Sequence, residues 1–184
     1  VNVDGQKMSK SLGNIYTLNE LREHQVSPLA YRFWLLMAHY STHVNFTWEA
    51  VTGAQVAFNK IKNQVRGLGK NSGQVEEDYR QQFLTAINKL NTPTAIALLI
   101  KLLDSPLPAP DKLATVLDFD RVLGLGLADL KPLEIPPEVK QFTADREAAR
   151  QAQNWALADQ LRAQIEAAGF HVDDTPEGPQ ISQI

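Results

Sequence analysis

Apolar residues recur at three- and four-residue spacing along most of this chain, and that rhythm predicts helices. Trp48, Val51, Gln55, Phe58, Ile61 and Val65 fall on one helical stripe, capped by Thr47 and stopped at Gly67 and Gly69. Upstream, "SPLAYRFWLLMAHYS" opens with Ser27 as N-cap and Pro28 as first helical residue. Leu29, Phe33, Leu35, Leu36 and Met37 leave few polar positions there, so this helix is expected to be buried on most sides. Beyond the loop "KNSGQ", Glu76 to Leu90 reads as helical with Tyr79, Phe83, Ile87 and Leu90 on one face. Asn91-Thr92-Pro93 caps the apolar helix Thr94–Leu103, "DSPLPAP" breaks it, and Asp111 to Leu125 forms another that ends in "GLG". The pattern is that of four or five antiparallel amphipathic helices joined by short loops, a helix bundle.

The flanks differ. "VNV" before Asp4-Gly5 predicts a short strand entering a tight turn, because Asp-Gly favours the positive φ of hairpin turns. Thr17 caps a short helix reaching Glu23, and Glu20 completes a capping box. Three prolines between 132 and 137 mark a linker. Behind it, Glu138–Gln153 and Trp155–Ala168 read as a helical hairpin with Gly169 as its stop. "FHVDDTPEGPQIS" then alternates as a two-stranded hairpin. The expected fold is mainly α: an antiparallel bundle followed by a small helical-hairpin plus β-hairpin module.

Composition changes this picture little, and charge changes it more. The net charge of −3 conceals an asymmetry: residues 1–70 carry eight Lys/Arg against four Asp/Glu, and residues 71–184 carry ten against seventeen. A polyanion-binding surface is therefore expected mainly in the first third. The absence of cysteine excludes disulfides, thiolate metal sites and cysteine nucleophiles, and fits a reducing compartment. No apolar run approaches the roughly 18 residues of a membrane span, so no membrane partner is expected. The chain starts at Val1, in what reads as the middle of a hairpin, and is expected to be a piece of a longer or processed chain.

The densest chemistry lies in "KMSKSLGN", Lys7 to Asn14. A nucleotide losing its β,γ-pyrophosphate accumulates negative charge that positioned ammonium groups stabilise more than they stabilise the ground state. Lys7 and Lys10 supply two such groups, Ser9 and Ser11 add hydroxyl donors, and Gly13 lets the loop open and close. A solvated basic turn is the alternative for an isolated Lys-x-x-Lys. The stretch resembles the KMSKS signature loop of class I aminoacyl-tRNA synthetases. "DGQKMSKSLGNIYTLNEL", "AYRFWLLMAHYSTHVNFTWEAV", "LNTPTAIALL", "RVLGLGL" and "REAARQAQNWALADQLRAQIEAAGFHVDDTPEGPQ" follow in the order in which the cysteinyl-tRNA synthetase family carries its counterparts.

That resemblance implies a loop and connection to a catalytic domain over 1–27, a DALR-type bundle over 28–131, and a linker with an anticodon-binding module over 132–184. It implies ATP as substrate at Lys10, with Lys7, Met8, Ser9 and Ser11 completing the loop and Met8 anchoring it. It implies tRNA(Cys) as partner, read by Arg150, Trp155, Asp159 and Asp174. Those types suit base reading: Arg grips guanine edges, Trp offers a stacking face, and Asp accepts from exocyclic amino groups. Duller readings stand beside them, since Trp155 also fits a staple within the hairpin and Arg150 with Asp159 a surface ion pair. Lys60, Lys62 and Arg66, with Lys70 beyond, form a basic edge that either meets tRNA phosphates or is merely solvated.

The family's nucleotide-binding half and its zinc ligands precede this loop, so zinc is expected in the full-length enzyme and not in this chain. His24, His39, His43 and His171 lack metal-ligand spacing. The full-length protein is expected to ligate cysteine to tRNA(Cys) in the cytoplasm, as a monomer, and this chain alone to be inactive. The alternatives are a stand-alone tRNA-binding or regulatory relative without catalysis, and a related ligase that joins cysteine to an amino-sugar. "QNWALAD" and "FHVDDTPEG" argue against the last.

Overall fold

The computed structural model describes residues 1–70, 73–175 and 178–183. Part of the expected "KNSGQ" loop and the tip of the expected C-terminal hairpin lie outside them. The described residues are mostly helical and fall into two compact units, Val1–Leu130 and Lys131–Ile184.

The first unit opens with β1 (Asn2–Val3) and β2 (Gln6–Lys7), which pair antiparallel around Asp4 (φ 47°) and Gly5 (φ 79°). Two consecutive positive φ values are what a tight hairpin turn with the right-handed strand twist demands. α1 (Leu18–Glu23) follows, closed by the expected capping box: the Glu20 N–H donates to Thr17 Oγ1, and Glu20 Oε2 accepts from the Thr17 N–H. Those backbone and side-chain bonds from Thr17 hold the Glu20 carboxyl below its usual range. α2 (Pro28–Leu36) starts on Ser27, whose hydroxyl accepts from the Ala30 N–H. It buries Ala30, Phe33 and Trp34 on one face. Leu29, Leu35 and Met37, expected inside, are exposed, and Met37 already lies past the helix end. Nine residues make a single apolar stripe, and these side chains point off it.

β3 (Asn45–Phe46), not foreseen, pairs parallel with β1. α3 (Trp48–Gly67) then buries Val51, Phe58, Ile61 and Val65 of the stripe read from the sequence, together with Ala54 and Asn59, while Trp48 and Gln55 are half-buried. α4 (Glu77–Asn88) buries Phe83 and Ala86, but ends before Leu90, which adopts φ 53° and is exposed. α5 (Thr92–Leu103) is capped by Asn91 as expected. α6 (Ala109–Leu123) stops at Gly124 in the left-handed region, two residues earlier than the spacing suggested. Phe33 stacks on Phe58 at 5.6 Å and Phe83 on Phe119 at 4.0 Å. These rings anchor one apolar core, each contributing about 2–3 kcal/mol by burial.

The second unit contains α7 (Pro137–Gln151), α8 (Trp155–Ala167), β4 (Phe170–Thr175) and β5 (Gly178–Gln183). The strands pair antiparallel from Phe170 opposite Gln183 to Thr175 opposite Gly178, giving the expected helical hairpin followed by a β-hairpin. Its core is small: Val139, Ile165, Phe170 and Val172, with Leu133, Ile135, Phe142 and Ile181 packed around them. Among the described residues, no helix is long and apolar enough to cross a membrane.

Candidate functional site

The lysine loop is closed by its own polar groups. Lys7 ends β2, Ser9 is extended, and Lys10–Leu12 make one turn of 3-10 helix that stops at Gly13 with φ 63°. The Asn14 side chain spans the loop, its Oδ1 accepting from the Ser9 N–H at 2.8 Å while its Nδ2 donates to the Lys7 carbonyl at 3.2 Å. Ser9 and Ser11 hydroxyls bond each other at 3.3 Å. Met8 packs partly buried against the core, which supports its reading as an anchor. Lys7, Lys10 and Ser11 are exposed. The loop therefore fixes its backbone from behind and leaves both ammonium groups in solvent, where a phosphate chain can meet them. Asn14 was not singled out from the sequence, although it stands within the quoted motif.

Behind the loop lies an aromatic cluster. Tyr16 meets Phe46 at 5.2 Å and Trp48 at 5.0 Å, and the His24 ring stacks on Trp48 at 3.8 Å. It ties the residues after the loop to β3 and the start of α3.

In the second unit, Arg150, Trp155, Asp159 and Asp174 occupy α7, α8 and β4. Trp155 is 60% exposed at the first position of α8 and takes no part in the apolar core, so it does not staple the hairpin. Asp159 is exposed one turn further along. Arg150 pairs not with Asp159 but with Glu147 and Asp174. A residue absent from the sequence reading completes the group: Arg146, 4% exposed, donates Nη1 and Nη2 to the two Asp174 oxygens at 2.8 and 2.9 Å. Those hydrogen bonds, helped by the charges of Arg146, Arg150 and Arg162, hold the Asp174 carboxyl below its usual range. Hydrogen bonding to Asp174 raises Arg146 in turn, against its burial. The available signal was the spacing of Arg146 and Arg150, which places two guanidinium groups on one helix face.

The basic edge divides. Lys62 and Arg66 share a face of α3, with the Lys62 ammonium 5.2 Å from the Phe58 ring centre and Arg66 Nη1 donating to Asn63 Oδ1 at 2.9 Å. Burial, then the neighbouring Arg66 charge, lowers the Lys62 pKa, and burial lowers that of Arg66. Lys60 is exposed about 160° around the helix from Lys62, so it belongs to another face. Among the described residues, no group of three or more His, Cys, Asp or Glu is arranged to hold a metal ion.

Residues 1–56 match the family model for the class I tRNA synthetase (C) catalytic domain. Cysteine–tRNA ligase 1 of Burkholderia lata is 40% identical over 95% of this chain and 38% of its own length. The cysteine–tRNA ligase of Chlamydia pneumoniae is 35% identical over 99% of this chain and 43% of its own length, and that of Opitutus terrae 36% over 96% and 38%. The chain thus spans about two-fifths of the length of the relatives it matches. A catalytic-domain match at the lysine loop, joined to ligase relatives along nearly the whole sequence, supports the chain as a portion of a cysteinyl-tRNA synthetase.

Proposed function

We propose that this chain is the tRNA-docking part of an enzyme that ligates cysteine to tRNA(Cys) with ATP through a cysteinyl-adenylate. The observation that carries the reading is Trp155, an indole 60% exposed on α8 within the same small unit as Arg150, Asp159 and Asp174. An exposed aromatic face beside fixed hydrogen-bonding groups is what single-stranded bases require.

In the proposed division of labour, residues 1–27 carry the ATP loop and its connection, 28–131 a DALR-type bundle, and 132–184 the anticodon-binding module. In the whole enzyme cysteine attacks the α-phosphate of ATP and pyrophosphate leaves. Lys10 and Lys7 then stabilise the departing charge, with Ser9 and Ser11 as hydroxyl donors. Lys62 and Arg66 meet tRNA phosphates. The whole enzyme works in the cytoplasm as a monomer. The 184-residue chain alone binds tRNA and does not catalyse, because approximation of the reactants supplies much of the rate.

Binding is the test. tRNA bearing a GCA anticodon should bind the chain better than unrelated tRNAs, and Trp155→Ala and Asp159→Ala should each weaken it about tenfold. Equal binding of unrelated tRNAs by the unmutated chain would reject the anticodon assignment. With the catalytic half of a full-length enzyme present, Lys10→Ala should lower adenylate synthesis by about 100-fold. Undiminished synthesis would reject the loop's role.

A further inference from the structure

The two lysines of the loop differ in what holds them. β1 is tied to β3 by parallel pairing, with the Asn2 N–H donating to the Val44 carbonyl at 2.7 Å and the Asp4 N–H to the Phe46 carbonyl at 3.0 Å. The turn between β1 and β2 is tied as well, its Gly5 N–H donating to Asn45 Oδ1 at 2.8 Å. Lys7 is the last residue of β2 and inherits that support. Lys10 does not, for it opens the 3-10 turn beyond the strand and is exposed. What joins it to the sheet is one carboxamide. Asn14 Nδ2 donates to the Lys7 carbonyl, on an edge strand whose outer backbone groups have no strand partner. Asn14 Oδ1 accepts from the N–H of Ser9, the residue before Lys10. A carboxamide donates and accepts at once, whereas aspartate offers only acceptors and alanine neither. Met8, Ser9 and Asn14 are half-buried, while Lys7, Lys10 and Ser11 are exposed.

We propose that Asn14 is a positioning residue for the lysine loop: by bridging the Lys7 carbonyl and the Ser9 N–H it sets Lys10 against Lys7, so that both ammonium groups meet one diphosphate. This role rests on the ATP reading of the loop given above, and adds to it the residue that orients the charges beforehand. Charges already in place need no reorganisation when the leaving group departs, and a displacement of about 1 Å lowers a rate by up to about 100-fold. The lysines act on charge that builds up as pyrophosphate leaves, so a misplaced Lys10 costs turnover more than ATP affinity.

Amide exchange in the 184-residue chain tests the bridge, and kinetics of the full-length enzyme test its purpose. Asn14→Ala should speed exchange of the Ser9 amide about tenfold and leave the amides of α3 unchanged. Asn14→Asp, which keeps the acceptor, should protect Ser9 as the asparagine does. Equal Ser9 exchange in the unmutated chain and in Asn14→Ala would mean that no bridge exists, and the proposal fails. In cysteine-dependent pyrophosphate exchange, Asn14→Ala should lower kcat about tenfold or more and change the KM for ATP by less than about threefold. In a Lys10→Ala background the same substitution should cost less than about threefold, because the group it positions is gone. An unchanged kcat overturns the proposal. So does a full loss in the Lys10→Ala background, since Asn14 would then act through something other than Lys10. Should Lys10→Ala itself leave synthesis undiminished, the ATP reading of the loop fails first and the positioning role fails with it.

Discussion

Asp120 is 8% exposed, and both of its carboxylate oxygens are engaged by one loop. Oδ1 accepts from the Leu125 N–H and Oδ2 from the Leu127 N–H, each at 2.7 Å, just beyond the end of α6. Arg32 Nε donates to the Leu123 carbonyl at 2.7 Å, satisfying a helix-end acceptor from 91 residues away. Gly124 and Gly126, at φ 62° and 71°, let the backbone turn back under the carboxylate. Asp120→Ala would leave two buried donors without acceptors, so it should cost about 3 kcal/mol, and Asp120→Asn less, since one acceptor survives. Urea unfolding followed by circular dichroism measures both. A cost near zero for Asp120→Ala would mean that water reaches the loop. The sequence showed the stop in "RVLGLGL" but not the acceptor that holds it, because capping rules look one turn ahead and this carboxylate reaches five and seven residues on. Arg146 escaped for a related reason: an arginine four residues from another on a polar helix looks solvated until a distant aspartate closes over it.

Helices proved legible where a single stripe was long enough to carry a phase. α3 spans five turns or more, and four of the residues its spacing marked, Val51, Phe58, Ile61 and Val65, are buried, with Ala54 and Asn59 beside them. α2 is shorter and apolar at most positions, so apolar content could not say which side faced the core; Ala30, Phe33 and Trp34 took it by their mutual spacing. β3 has two residues and pairs in parallel across more than forty positions, leaving no local pattern to read. A test belongs to α3 itself. Gly53 sits in its interior, without a positive φ, and the space a Cβ would take there is open, with nothing within 4 Å. Alanine there restores helix propensity and restricts the unfolded chain, so Gly53→Ala should stabilise by about 0.5–1 kcal/mol. A raised melting temperature checks it. A lowered one would mean that the exposed face at Gly53 closes against something the helix needs.

The two units differ most in what holds each together. Val1–Leu130 has a broad core with stacked phenylalanine pairs, whereas Lys131–Ile184 relies on a small core around Val139, Ile165, Phe170 and Val172 and on the Arg146–Asp174 pair. With no cysteine anywhere, no disulfide reinforces the smaller unit, and a unit of that length is marginal on burial alone. Its pair also titrates. Arg146 holds the Asp174 carboxyl below its usual value in the folded state, so the unfolded chain binds the proton more readily. The stabilisation is therefore complete above the ordinary aspartate range and disappears as pH falls through the lowered native value, below about pH 4. Unfolding should then occur in two steps, with the strand amides of Val172 and Ile181 losing protection from exchange at milder acid than the core of α3. In Asp174→Asn the neutral side chain has no carboxyl left to titrate. Its C-terminal unit should be weaker at neutral pH and lose less on acidification. Simultaneous acid loss of both sets of amides, unchanged by Asp174→Asn, would place the acid-sensitive group elsewhere.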